Sequence, residues 1–174
     1  MKVSCKLLKI KFLFLLLFTT IETQAQEEQG WLLGIAPSFE LDEELIGTNI
    51  RVYYGVNEHF CFGPEASIFT FQSINSEQDI AISDLNFNAH YIFEIANKLG
   101  VYPLTGLNYT IETERTLDVI EREEAFAINY GFGIHYKVGE LFIFSEFKGI
   151  TGELKDEFIT AGVIYSFPSK KEKE

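Results

Sequence analysis

The sequence predicts an all-β fold, an eight-stranded antiparallel up-and-down transmembrane β-barrel, on the strength of three observations. Apolar and polar residues alternate with a period of two, the pattern of strands whose two faces meet different surroundings. The alternation occurs in eight runs of roughly ten residues, the length that a tilted strand needs to cross a bilayer. The more polar faces of these runs carry many of the 13 glycines in the chain.

The first 25 residues have the three parts of a secretory signal peptide. Four lysines precede an apolar run at residues 12–18, and Ala25 is a small residue suited to a cleavage site. The apolar run is shorter than the roughly 20 residues that a membrane-spanning helix needs. We therefore predict a signal peptide over residues 1–25, a barrel domain over residues 26–167 and a charged C-terminal tail over residues 168–174.

The charge of the mature chain excludes one class of partner. The chain has 14 basic and 26 acidic residues, and cleavage removes four lysines and one glutamate, which leaves a formal net charge of −15. Nucleic acid is therefore not an expected partner, because phosphate binding needs a basic patch. Only Cys61 remains after cleavage, so no internal disulfide forms.

The first run shows how each predicted strand was identified. Trp31, Leu33 and Ile35 fall on one face, whereas Gly34 and Ser38 fall on the other. The same alternation of bulky apolar and small or polar residues recurs along the chain, and no amphipathic helix is needed. The predicted strands cover residues 31–41, 49–56, 60–69, 84–93, 101–111, 126–136, 141–148 and 159–167.

The predicted connections alternate in length. Short turns are expected at residues 57–59, 94–100 and 138–140, and longer acidic loops at 42–48, 70–83, 112–125 and 149–157. Short turns at one end and long loops at the other are typical of an outer-membrane barrel.

The glycines decide which face points inward. A water-exposed face has no need of glycine, which weakens a strand, whereas the narrow interior of an eight-stranded barrel needs small residues. The bulky apolar residues therefore point outward, and lipid is the solvent that such a surface requires. We expect the protein in the bacterial outer membrane, with its lipids as one partner. The alternative is a soluble lipocalin-like barrel, whose interior should instead be apolar.

This orientation places five charged residues in the interior. They form a predicted lumen charge cluster in which Arg51 lies between two carboxylates, those of Glu40 and Glu65, while Glu146 and Lys148 share a face of one strand. Buried charges need partners, so we interpret the cluster as a plug of salt bridges. The alternative is a gate in a narrow channel for ions or small solutes.

No residue pattern predicts catalysis, and no metal centre or cofactor is predicted. The three histidines lie on separate segments without metal-site spacing. Ser67, Ser145, His90 and His135 match no motif, although lipid-modifying barrel enzymes use histidine and serine. The acidic loops could bind divalent cations or a partner at the cell surface; the simpler interpretation is a solvated rim.

The sequence as a whole resembles the small outer-membrane β-barrel domains common in Bacteroidota, related in shape to the OmpA transmembrane domain and the opacity-type porins. The resemblance is carried by residues 23–26, the strand at 99–109 and the hairpin at 129–148. It implies an eight-stranded barrel and no particular activity. The last strand also resembles the signal read by the outer-membrane assembly machinery, with Gly162, Tyr165 and Phe167 as its residues, although a charged tail follows Phe167.

Overall fold

A computed structural model describes residues 30–75, 78–116 and 119–168 of the chain. The predicted signal peptide at residues 1–25 and residues 169–174 of the predicted tail lie outside the described residues. Every regular element is a strand: β1 Gly30–Glu40, β2 Ile46–Asn57, β3 Phe60–Asn75, β4 Gln78–Tyr91, β5 Phe93–Ala96, β6 Leu99–Thr116, β7 Ile120–Val138, β8 Leu141–Ile150 and β9 Glu157–Pro168.

The strands form one closed antiparallel sheet. Apart from β4 and β5, consecutive strands pair with each other; β1 also pairs with β9, and β4 pairs with β6. Strands β4 and β5 are two parts of one barrel strand, separated at Ile92, and both pair with β6. The fold is therefore an eight-stranded up-and-down β-barrel, which confirms the predicted fold class. Among the described residues, no helix is long and apolar enough to span a membrane.

The two faces of the barrel wall have inverted polarity relative to a soluble barrel. On β7, Phe126 is 84% exposed and Phe132 is 65% exposed, whereas Asn129 between them is fully buried. Strand β1 repeats the pattern, with Trp31 exposed and Ser38 buried. Apolar side chains therefore point outward and polar ones inward, as the glycine argument predicted.

The connections define two ends of the barrel. The turn end carries the turns at residues 58–59, 97–98 and 139–140, together with Gly30 and Pro168, which are paired across β1 and β9. The loop end carries the loops at residues 41–45 and 151–156.

Two of the predicted long loops are wrong. Strands β3 and β4 extend through most of residues 70–83, and β6 and β7 extend through most of residues 112–125. The chain keeps its cross-strand hydrogen bonds there after the apolar alternation has ceased, so the sequence pattern ends before the strands do.

A buried apolar cluster fills the interior at the loop end, which the sequence analysis did not predict. We call it the apolar layer; its members are Leu45, Phe69, Ile80, Ile82, Ile150 and Phe158. The rings of Phe69 and Phe158 are tilted against each other at 5.4 Å between centroids. Within the strands, these residues lie closer to the loop end than the inward-pointing polar residues do. The barrel interior therefore changes from polar to apolar towards the loops.

Candidate functional site in the barrel interior

Four charged residues meet in the middle of the barrel, and we call them the charge quartet: Arg51, Glu65, Glu146 and Lys148. The guanidinium of Arg51 donates two hydrogen bonds to Glu146, with Nη1–Oε2 and Nη2–Oε1 distances of 3.0 and 3.4 Å. It also lies 3.5 Å from Glu65 Oε2, and Lys148 Nζ lies 2.6 Å from Glu65 Oε1. The quartet thus alternates in sign and has no net formal charge.

Neutral polar groups complete the hydrogen bonding of the quartet. Tyr53 donates its hydroxyl to Glu65 at 2.7 Å, and Tyr102 donates to Glu146 at 3.1 Å. The amide of Asn49 accepts from Arg51 Nε at 2.8 Å and donates to Glu65 at 2.9 Å. Because buried charges are tolerated only when their remaining hydrogen-bonding capacity is filled, these groups hold the quartet in one arrangement.

Of the two predicted carboxylate partners of Arg51, one is correct and the other is wrong. Strand register places Arg51 opposite Glu65, as predicted, but opposite Gly34 rather than near Glu40 on β1. Glu40 lies six residues further along β1, at the loop end, where its carboxylate accepts the amide hydrogens of Asp42 and Glu43 at 2.5 and 2.8 Å. The prediction that Arg51 lies between Glu40 and Glu65 is therefore wrong.

Glycine at position 34 makes room for the arginine. A Cβ added to Gly34 would lie 2.7 Å from Arg51 Cγ and 2.8 Å from Ile164 Cγ1. Because carbon atoms in contact stay at about 3.5–4.0 Å, an alanine there would force the Arg51 side chain to move. The glycine on the inward face of β1 thus positions the quartet.

A layer of amides and hydroxyls lies between the quartet and the apolar layer along β4, β6 and β7, whereas Lys148 Nζ lies 5.4 Å from the centre of the Phe158 ring on the opposite side. Asn129 donates to Asn86 at 2.8 Å and to Asn88 at 2.7 Å, and Asn108 donates to Asn86 at 2.9 Å. Thr110 donates to Asp84 at 2.5 Å. These contacts join β4, β6 and β7 through their side chains as well as through their backbones.

Aromatic and imidazole rings stack on the other side of the quartet, towards the turn end. The His90 ring lies parallel to that of Tyr102, at 4.9 Å between centroids, and the Tyr102 ring is stacked on His135 at 5.8 Å. Beyond them, a cavity of about 180 Å³ opens at the turn end, lined among others by Cys61, Glu58 and Lys137.

The serines and histidines considered for catalysis do not form one site. His90 and His135 lie on either side of Tyr102, but Ser67 is bonded to Asn49 on the loop side of the quartet, and Ser145 is exposed on the outer face. Neither serine therefore lies beside the two imidazoles, whereas the buried thiol of Cys61 lies opposite His90 in the β3–β4 register.

Three acidic side chains gather at the loop end: Glu40, Asp42 and Asp156. One carboxylate oxygen from each lies within 4.8 Å of the others. Burial and the nearby carboxylates of Asp84, Glu40, Glu112 and Asp42, in that order, raise the pKa of Asp156 to about 7. The cluster is thus a concentrated negative charge at the mouth of the barrel.

The residues of the predicted assembly signal lie on β9. Tyr165 and Phe167 point outward, with their rings in an edge-on contact at 4.6 Å, and Phe167 lies opposite Trp31 of β1. Gly162 points inward against Ala36. Their role in assembly stays a prediction.

Some residues of the interior site escaped the sequence analysis. Tyr53 and Tyr102 were not assigned to the charge cluster, although their hydroxyls bind its carboxylates. Tyr53 could have been assigned to the cluster from the sequence. It follows Arg51 by two residues, so the two side chains lie on the same face of the strand.

No protein-family model and no curated protein matches this sequence. Solved structures do match. The crystal structure of Ail, the attachment invasion locus protein of Yersinia pestis, is similar with a TM-score of 0.60 and 18% identity, covering 81% of this chain and 99% of that one.

Two further structures have the same architecture. The N-terminal β-barrel domain of OprF from Pseudomonas aeruginosa matches with a TM-score of 0.63 and 17% identity, covering 81% of this chain and 98% of that one. Neisserial surface protein A matches with a TM-score of 0.62 and 12% identity, covering 80% of this chain and 97% of that one. The chain thus shares the fold of small outer-membrane barrels.

Proposed function

We propose that this chain is a bacterial outer-membrane β-barrel protein with a mostly filled polar lumen, and that its role is structural or one of surface interaction, without catalysis. The charge quartet is the observation that carries the proposal. Its four side chains are at most 2% exposed and link β2, β3 and β8 across the interior. Such a cross-link favours a plugged barrel over an open pore.

The outer surface supports the membrane location. Exposed aliphatic and aromatic side chains cover the wall, among them Leu107, Phe132 and Ile143. Aromatic residues lie near both ends, with Trp31 and Phe167 at the turn end and Phe39 and Phe126 towards the loops. Apolar bands flanked by aromatic girdles are typical of barrels that meet lipid. Of the similar proteins named above, Ail is an outer-membrane protein and Neisserial surface protein A is a surface protein.

The order of the interior layers supports a filled lumen. From the turn end along β4, the inward positions carry His90 in the ring stack, Asn88 and Asn86 in the amide layer, and then Ile82 and Ile80 in the apolar layer. Along β3, Glu65 of the quartet is followed by Ser67 and Phe69. An eight-stranded barrel is just wide enough for side chains of this size to fill.

The shape of the loop end supports a surface role. Strands β3, β4, β6 and β7 extend beyond their neighbours as one sheet, because the β7–β8 pairing begins at Asn129 although β7 begins at Ile120. An unpaired strand edge presents backbone donors and acceptors to a partner. Glu121 and Glu123 on this part of β7 favour a partner with basic groups, whereas Glu124 is ion-paired with Arg122 at 2.7 Å.

Planar-bilayer recording tests the filled lumen. The purified protein, inserted and shown by gel mobility to be folded, should produce no discrete current steps in 1 M KCl. Steps that disappear on heat denaturation would overturn the filled lumen and favour the narrow channel. Cell fractionation tests the location, since the proposal requires the cleaved protein in the outer-membrane fraction.

A further inference from the structure

The three carboxylates at the loop end lie on or next to the first and last strands of the barrel. Glu40 ends β1, Asp42 lies in the loop after it, and Asp156 lies in the loop that leads into β9. Strands β1 and β9 are the first and last strands and pair with each other up to Glu40 and Phe158. The cluster therefore spans the seam at which the barrel closes.

Backbone hydrogen bonds fix the positions of the three residues. Leu41 donates its amide to the carbonyl of Glu157 at 2.9 Å, which ties the two loops together. Glu40 donates to Leu45, and Ile150 donates to Asp156, each at 2.9 Å. The carboxylates are thus held close together by the loops despite their like charges.

Asp156 supplies a second, independent observation that points to a ligand. Its side chain is only 8% exposed, and its Oδ2 atom is buried with no hydrogen-bond partner among the described residues. Within the same part of the chain, no ion pair joins Glu40, Asp42 or Asp156 to a lysine or arginine. A buried carboxylate oxygen with neither a donor nor a cation costs stability unless a proton or a bound ligand compensates it.

We infer that Glu40, Asp42 and Asp156 bind a divalent cation of the calcium type. All three ligands are hard carboxylate oxygens, with no nitrogen or sulfur donor, which favours Ca²⁺ over transition metals. Calcium–oxygen distances of about 2.3–2.6 Å allow ligand oxygens to lie up to about 5 Å apart, in accord with the spacing of the cluster. Asp42 is exposed, so water can complete the coordination.

Cation binding would have a structural consequence. The ion would join the end of β1 to the loop before β9, and so would stabilise the seam of the barrel at its loop end. The inference does not depend on the membrane location or on the closed lumen proposed above.

Calcium titration of the folded protein in detergent tests the inference. After removal of metals with EDTA, calorimetry should show one Ca²⁺ bound per chain, with a weak dissociation constant on the order of 10⁻⁴–10⁻³ M, because only three protein carboxylates hold the ion. Asp156→Asn and Asp42→Asn should each weaken binding at least about tenfold, because each removes one of three charged ligands. Glu121→Gln is the matched control, since it removes one acidic charge from β7 outside the cluster.

Thermal unfolding provides a second test, because Ca²⁺ should reverse the order of the unfolding temperatures of the wild type and Asp156→Asn. In EDTA, Asp156→Asn should unfold at a higher temperature than the wild type, because it removes one of three clustered acidic groups and so lowers their mutual repulsion. In excess Ca²⁺ the order should reverse, since only the wild type gains stability from the ion. Absence of saturable binding to the wild type, or equal weakening by Glu121→Gln, would overturn the site and indicate diffuse attraction to an acidic rim.

Discussion

At the scale of single residues, Arg51 connects parts of the barrel wall that are distant in sequence. It lies on β2, and its carboxylate partners come from β3 and β8. Glu65 is also bonded by Lys148, Tyr53 and Asn49, whereas Glu146 has Arg51 as its ion-pair partner among the described residues. Loss of Arg51 should therefore affect Glu146 more than Glu65.

A double-mutant cycle measures this pairing. Arg51→Ala should lower the free energy of unfolding by about 3–5 kcal/mol, because it leaves a buried carboxylate without its cation. Arg51→Ala and Glu146→Ala together should cost less than the sum of the two, with a coupling of about 1–3 kcal/mol. The measurement is urea unfolding in lipid vesicles, followed by the fluorescence of Trp31, the one tryptophan in the chain.

Glu40 provides the control for that cycle. It is as buried as Glu146 but lies at the loop end, so Arg51→Ala and Glu40→Ala should be additive to within about 0.5 kcal/mol. A coupling to Glu40 as large as that to Glu146 would contradict the arrangement of the quartet.

The same residues show how far a sequence can predict a site inside a barrel. The pairing of Arg51 with Glu65 could be predicted, because a short turn at residues 58–59 fixes the register of β2 on β3. The bond to Glu146 crosses the lumen, and it depends on the stagger of all the intervening strands, which no local pattern encodes. The error over Glu40 arose because the first loop was predicted to be longer than it is.

At the scale of elements, the strands could be found wherever their faces differ. Period-two alternation located all eight barrel strands, and the glycines on their polar faces identified the apolar face as the outer one. It failed at the loop end of β3, β4, β6 and β7, where the backbone pairing continues without apolar residues on the outer face alone. On β4 the apolar Ile80 and Ile82 point inward, and on β6 and β7 charged residues occupy both faces. Glu112 and Glu123, for example, are directly opposite each other on β6 and β7.

Strand β9 is the element on which the assembly prediction depends. Phe167→Ala should sharply lower the amount of folded protein in the outer membrane, because it removes the outward aromatic that closes β9 beside Trp31. Removal of residues 169–174 should change little, since these follow the strand. The measurement is fractionation followed by the mobility of unheated samples on a gel.

Phe132→Ala is the matched control for Phe167→Ala. Phe132 is an outward aromatic of β7 and is 65% exposed, so it shares the chemistry of Phe167 but not its place in the last strand. Equal losses from the two substitutions would indicate a general need for aromatic surface. Loss of assembly on removal of residues 169–174, with Phe167→Ala intact, would contradict the role given to β9.

At the scale of the whole molecule, closure and layered packing act together. The β1–β9 and β4–β6 pairings leave the wall without an open edge through its central part. Inside, the charge quartet and the amide layer join strands through their side chains, so the wall is cross-linked by its contents. The sequence predicted the closed wall from eight regular runs, but the apolar layer could not be predicted, since its members lie partly in segments that resemble loops.

Closure of this kind should make unfolding slow and all-or-none. Detergent can replace lipid around the outer face, but it cannot reach strand hydrogen bonds that have no free edge. Unheated protein in dodecyl sulfate should therefore migrate as a compact folded species, and boiling should convert it to a band at the 19.9 kDa of the full chain, less any cleaved segment. Arg51→Ala should convert at a lower temperature than the wild type, because the quartet links opposite sides of the wall. A single band whose mobility does not depend on heating, together with a helical circular dichroism spectrum, would contradict the barrel itself. Equal conversion temperatures for the wild type and Arg51→Ala would contradict only the contribution of the quartet.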